Sequence, residues 1–320
     1  MLDLFRRRWF LIFLCLSLAV GFGLPGPLKL VAEGVPCDLV AAVVLFLMAL
    51  PLDASSIWHS LRRPQGVLLA VAICYGLVPS VAWVMSWGLP DELAVGIMIA
   101  ATVPSTLASA AVWTRHAGGN DVICLQVTSI TYLMCTVAMP WWLVQTTGQT
   151  VAIDPARMTT KLALLVVLPT IAGQLARLIP SLATWATQNK RRLSSIAQVG
   201  ILAIVFVGSV TGGVQIRLGR TVDPLVWCAL VAAIVALHVS MLVAGHLFGR
   251  LLGLSREDRI AVGFSGSQKT LMIGIYVAVG FYADLALAML PMIIYHVFQL
   301  LFDTLVADRL REQKAEATTA

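Results

Sequence analysis

GFSGSQKTLMIGI, residues Gly263–Ile275, sets one lysine in the middle of a stretch that otherwise reads as a membrane span. A charged group near the bilayer centre costs about 2.5–3.5 kcal/mol on insertion scales, so the surrounding fold must compensate Lys269. Whether it does depends on what the flanking chain is. Of the 320 residues, 59% are hydrophobic and 12% charged, and the mean hydropathy is +0.89, more apolar surface than a soluble domain needs. Apolar runs of about 17–25 residues cross a bilayer as helices, because the intrahelical ladder satisfies the backbone where water cannot. An all-α polytopic membrane protein follows.

Ten spans are expected at about 9–24, 36–52, 65–88, 91–117, 120–145, 158–179, 194–215, 222–253, 257–281 and 285–306. The first, behind Arg6, Arg7 and Arg8, has the charge and length of a signal peptide's apolar region. It is read as a retained helix, which makes the set even. Lys and Arg orient the set. On the side of the N-terminus lie 16 of them, among them Arg62, Arg63, Arg115, Arg177, Arg191, Arg250 and Arg259; the opposite side has 5, Lys29, Arg157, Lys161, Arg217 and Arg220. Lys269 completes the 22. By the positive-inside rule both termini are cytoplasmic and the chain sits in the cell membrane. The net charge of +6 is thus a topology signal, with lipid contact as a by-product and no nucleic-acid partner implied.

The chain divides into a cytoplasmic N-terminus (1–8), a first five-helix repeat (9–145), a connecting loop (146–157), a second repeat (158–306) and a cytoplasmic tail (307–320). The six cysteines show no CxxC spacing; most fall inside spans as small buried hydrophobes, and neither a disulfide nor a metal site is expected. The nine tryptophans suit interface belts. No Walker loop, GxSxG or HExxH occurs, so ATP-driven transport and the common hydrolase chemistries lack their parts, and neither an enzyme nor a cofactor is expected. Transport driven by a gradient becomes the leading class, with a small organic solute as partner.

Five spans per half is an odd number, which sets the halves in opposite orientations, the inverted repeat of secondary transporters. In such folds the binding site lies where interrupted helices occupy matching positions in both halves. Span 4 contains AATVPSTLASAAVW, with Pro104 amid Ser105, Thr106 and Ser109. Span 9 contains Gly263 and Gly266 amid Ser265, Ser267, Gln268, Lys269 and Thr270. The fourth span of each half is therefore expected to break, near Pro104 and near Gly266, with the breaks meeting in space. Proline and glycine in membrane helices often mean only a kink or close packing, but a matched pair with the one basic residue outside the loops points to a site. On span 10, His296 and Gln299 are spaced i and i+3 and share a face. Gln126, Thr128, Ser129 and Thr131 on span 5 recur at helical spacing, although such groups mostly bond to backbone, and His238 reads as an interhelical bond.

GPLKL from Gly26, FLMALPLDASSI from Phe46, TVPSTLASAAVWTRHAGGND from Thr102, FSGSQKTLMIGI from Phe264 and LPMIIYHVFQLLF from Leu290 resemble the bile acid:sodium symporter family, solute carrier family ten, in the branch of its seventh member. The resemblance covers about residues 9–306 and implies a panel domain of spans 1, 2, 6 and 7 and a core of spans 3–5 and 8–10. Within the core, broken helices 4 and 9 cross near the midplane. Two departures bear on sodium. Phe264 stands where sodium-coupled members resemble one another in an acidic residue, and Ala110 stands at an asparagine, while Ser109, Thr128 and Gln268 keep oxygen ligands. A fixed ammonium at Lys269 can take the electrostatic role of a bound sodium by neutralising half-helix carbonyl ends.

Lys269 is either a proton carrier or a permanently charged lysine that fixes the crossing, so sodium and proton both stand open as coupling ion. The expected solute is anionic, since an ammonium and exposed amide ends favour a negative partner. A non-transporting regulator of ion homeostasis or a scaffold on the same fold is the alternative. Arsenite efflux is disfavoured by the absence of cysteine between Val103 and Ile123.

Overall fold

The computed structural model describes residues 2–52, 64–148, 154–217, 223–285 and 287–319. Among them are helices and connecting turns, with α1 at Leu2–Gly23, α2 at Pro25–Glu33, α3 at Cys37–Ala49, α4 at Gln65–Ser86, α5 at Asp91–Thr102, α6 at Ser109–His116 and α7 at Asp121–Thr147. They continue with α8 at Pro155–Ala176, α9 at Pro180–Gln188, α10 at Lys190–Arg217, α11 at Pro224–Leu251, α12 at Arg256–Ser267, α13 at Leu271–Phe281 and α14 at Leu290–Thr319. Six of these are long and apolar enough to cross a membrane, or seven if the bent pair Ile12–Gly23 and Pro25–Glu33 counts as one span. The protein is an all-helical polytopic membrane protein. Arg62, Arg63, Arg220 and the middle of the connecting loop lie outside the described residues.

Local chemistry sets many of the ends. Asp154 caps α8 by accepting from Ala156 N–H at 2.9 Å and Arg157 N–H at 3.1 Å, Asp223 caps α11 through Leu225 N–H at 2.8 Å, and Ser255 caps α12 through Asp258 N–H at 3.1 Å. Proline opens α8, α9 and α11, where its missing N–H costs nothing. Three elements extend past their expected limits. Pro25–Glu33 and Pro180–Gln188, taken as loop, are helical, and the expected tail from 307 continues α14 as far as Thr319.

Two long helices each carry one π turn, Ile73–Leu77 in α4 and Ala163–Val167 in α8, and in each a proline, Pro79 or Pro169, follows two residues after the turn. Proline has no donor for the regular ladder, so the preceding amides reach one residue further back, as Val78 N–H does to Ile73 O.

The expected breaks are present, one of them displaced. After Thr102 the chain turns extended at Val103, with φ −66° and ψ 154°. Pro104 is the cause, because its ring disfavours helical geometry in the residue before it. In span 9, Gly263 and Gly266 stay helical and the break falls at Gln268–Thr270, where Gln268 and Thr270 are extended at ψ 141° and 123°. The glycine at 263 serves packing instead: a Cβ on Gly245 of α11 would lie 2.8 Å from Gly263 Cα, so α11 and α12 touch backbone to backbone.

Helix contacts fall into two groups. In one, α3 and α10 pack together and are flanked by α1, α2 and α8; in the other, α12 packs on α11, α4, α6 and α7, with α5 and α14 beside them. The groups meet where α7 touches α8 and where α13 touches α10 and α3.

Candidate functional site

The breaks are joined directly, Thr270 N–H donating to Pro104 O at 3.1 Å. On α14, Gln299 Oε1 accepts Lys269 N–H at 2.9 Å while its Nε2 donates to Lys269 O at 2.8 Å, so one side-chain amide satisfies both backbone groups of an extended residue. Gln299 Nε2 also lies 2.9 Å from His296 Nδ1.

Lys269 is fully buried, 0% exposed. Its ammonium has three N–H groups, and each has an acceptor: Cys74 O at 2.7 Å, Val103 O at 3.1 Å and Cys74 Sγ at 3.2 Å. The Tyr75 ring lies 5.7 Å from Nζ. The acceptors come from two interruptions of the helical ladder. Cys74 O is left over because the π turn commits Val78 N–H to Ile73 O and the next residue in register, Pro79, has no N–H. Val103 O lies past the end of α5, where carbonyls have no helical donors. A tethered cation thus meets the electronegative ends of two segments.

Gln268, also 0% exposed, links the crossing to two sides. Its Oε1 accepts from Thr106 Oγ1 at 2.7 Å and Ser109 Oγ at 2.8 Å, and its Nε2 donates to Asp303 Oδ2 at 2.6 Å. Thr128 Oγ1 donates to Thr106 O at 3.0 Å, and Tyr132 Oη donates to Thr270 Oγ1 at 3.4 Å. Ser105 N–H reaches Thr131 Oγ1 at 3.4 Å. Ser265 and Ser267 direct their hydroxyls to Ala261 O and Gly263 O on their own helix, and Gly266 packs against Ile73. Behind Gln268, Asp303 Oδ1 pairs with His238 Nε2 at 2.8 Å, and Tyr295 Oη donates to Ser267 O at 2.7 Å.

A cavity of about 140 Å³ opens where the two helix groups face each other. Thr106–Ser109, Thr270–Met272, His296 and Leu300 form one wall; Phe10, Met48, Ser194, Ala197, Gln198 and Ile201 form the other. The first wall includes the starts of α6 and α13, whose N-cap residues Ala108 and Thr270 make no side-chain cap bond, although Thr106 Oγ1 accepts Ala110 N–H at 3.0 Å in α6. Both half-helices therefore aim the electropositive ends of their dipoles at one space.

A family model of the SBF-like CPA transporters matches residues 8–312. The chain belongs to the SBF-like CPA transporter family. It is similar to the uncharacterized protein PA2026 of Pseudomonas aeruginosa, at 28% identity over 91% of this chain and 92% of that one. A second relative is the uncharacterized sodium-dependent transporter YocS of Bacillus subtilis, at 24% identity over 95% and 91%. A third is the sodium/bile acid cotransporter 7 of Xenopus tropicalis, at 21% identity over 97% and 94%.

In this SBF-like transporter the sequence concealed Cys74, Tyr75, Tyr295 and the weight of Asp303. A backbone carbonyl leaves no residue signature, so Cys74 read only as a small apolar side chain. The usable signal was Pro79 inside an otherwise regular apolar span. Asp303 stood near the expected end of span 10, and only the fold shows it 0% exposed.

Proposed function

We propose that this protein is a secondary active transporter that moves a small organic anion across the cell membrane by alternating access. The carrying observation is the cavity onto which two helix N-termini converge, that of α13 without a side-chain cap and that of α6 capped only through the Thr106 hydroxyl. In this scheme ten spans form two inverted repeats, residues 9–145 and 158–306, with crossing broken helices 4 and 9. The group of α1, α2, α3, α8 and α10 is the panel, rocking against the remaining helices to expose the cavity to each side in turn. Both termini face the cytoplasm, following the charge asymmetry of the loops.

Lys269 serves as a permanent cation at the crossing, which its complete set of acceptors favours over a proton carrier at that residue. Sodium coupling is weak here for a second reason. The oxygens of Thr106, Ser109, Thr128 and Gln268 are engaged with one another or with backbone, and Phe264 supplies no carboxylate. Coupling to sodium belongs to relatives such as YocS by name.

A thermal-shift screen of organic anions on the purified chain, in sodium or choline salts, tests both points, because ligand binding to the folded state raises its apparent stability. Carboxylate or sulfonate solutes should raise the melting temperature equally in both salts. Stabilisation by cations alone, or only in sodium, would count against the scheme. Accumulation of the hit solute in proteoliposomes under an imposed gradient then separates a transporter from a scaffold, which cannot concentrate anything.

A further inference from the structure

With all three N–H groups of Lys269 occupied by protein acceptors, an ion that drives transport has to bind elsewhere; this step rests on the transporter reading above. Among the described residues, Asp303 is the acidic residue buried completely, and it faces the equally buried His238. An ionisable group buried within a span is costly and marks a candidate functional site. We propose that Asp303 with His238 is a proton-binding site, and that the Gln268 amide transmits its occupancy to the solute cavity.

The transmission follows from donor and acceptor inventory. An ionised carboxylate only accepts, so Asp303 Oδ2 orients Gln268 with its NH2 group inward at 2.6 Å. The amide oxygen then faces Thr106 and Ser109, whose hydroxyl hydrogens point back to it at 2.7 and 2.8 Å. Both hydroxyls line the cavity, and in this state their hydrogens are spent within the protein, with Ser109 Oγ also 2.8 Å from Thr106 Oγ1 and Ala110 N–H on Thr106 Oγ1 at 3.0 Å, so neither offers an anion a donor. A hydronium ion gives up its proton to form an O–H bond on Oδ2 and leaves as water. That O–H now donates to Gln268 Oε1, and the amide turns over.

The NH2 group then donates to the Thr106 and Ser109 oxygens, and their hydrogens are released toward the cavity as donors for an anionic solute. Proton and anion thereby favour each other's binding, the reciprocity that symport requires. The other groups facing Asp303 fit this role. Tyr295 spends its hydrogen on Ser267 O at 2.7 Å and lies 3.3 Å from His238 Nδ1, while the Lys269 ammonium is directed to Cys74 and Val103. Phe298 and Phe302 pack edge-on against the His238 ring.

Infrared difference titration of the purified full chain in detergent reads the proton without any solute. The wild type should show a protonated carboxylic acid band that grows as pH falls and is the same in sodium and choline chloride. Asp303→Asn should lose that band, His238→Gln should shift it, and Thr106→Val with Ser109→Ala should shift it as well. Identical difference spectra for wild type and Asp303→Asn overturn the proton site. A band unmoved by the Thr106 and Ser109 pair overturns the transmission, and a band abolished by sodium makes the pair a metal-cation site instead. Should Asp303→Asn fail to elute as a single species, His238→Gln decides alone, an unshifted band being the negative result. Thermal-shift hits without the band would preserve the transporter and remove the proton, so the two failures are distinguishable.

Discussion

Lys269→Met leaves Cys74 O and Val103 O buried without a donor, at a cost of about 1–3 kcal/mol for each. The cost should appear as a lower urea midpoint of the purified protein. Lys269→Gln restores some hydrogen bonding but not the charge, so solute accumulation per folded molecule should fall at least about tenfold, roughly 1.4 kcal/mol, with little recovery in sodium. Lower folding yield with normal turnover would show a packing lysine only. That Lys269 needed a compensating environment was legible from its place in GFSGSQKTLMIGI, and the fold brings Ser109, Gln268 and Gln299 to the same breaks. The acceptors were not, because two are main-chain oxygens freed by geometry and residue type says nothing of them. His238, read alone as an interhelical bond, gained its meaning from Asp303, 65 residues away in sequence.

Helix α4 turns a helix breaker into a binding element. Alanine is favoured over proline inside a helix by about 3 kcal/mol, so Pro79→Ala should stabilise if only propensity mattered. Here a restored N–H competes with Lys269 Nζ for the carbonyls of the π turn. The variant should therefore gain much less than the propensity difference in urea melts, and it should lose solute-induced thermal shift; full stabilisation with the shift intact would discard the competition. The two breaks differ in how far local sequence determines them. Pro104 dictates the first by itself. The second has no proline, and its glycines remain helical, because the extended Gln268–Thr270 segment is held by Gln299 and Pro104 from other parts of the chain. Composition alone therefore put that break two residues early. Gly245→Leu forces side-chain atoms into the backbone of α12 and should destabilise by about 1–3 kcal/mol or more, while Gly253→Leu, with open space around it, carries only the strain of its φ of +70°.

At the level of the whole molecule, the hydrophobic runs gave the helical, polytopic class directly. The packing of α3 with α10 against a second group around α12 lay beyond periodicity, since faces turned to lipid and faces turned to protein are both apolar. Cysteine labelling in intact cells, on a background of inaccessible native cysteines, should find the Arg191 position cytoplasmic and the Arg217 position outside; the reverse pattern would invert the assigned orientation. The tethered ammonium at the crossing also has an electrical consequence. An ion that binds and dissociates adds its charge to what crosses the bilayer in each turnover, whereas Lys269 stays with the chain and adds none. A monoanion carried alone would work against or with the membrane voltage at about 2.3 kcal/mol per 100 mV. Carried with one proton on Asp303, it would cross as a neutral pair, and the rate of uptake would be the same in polarised and depolarised vesicles.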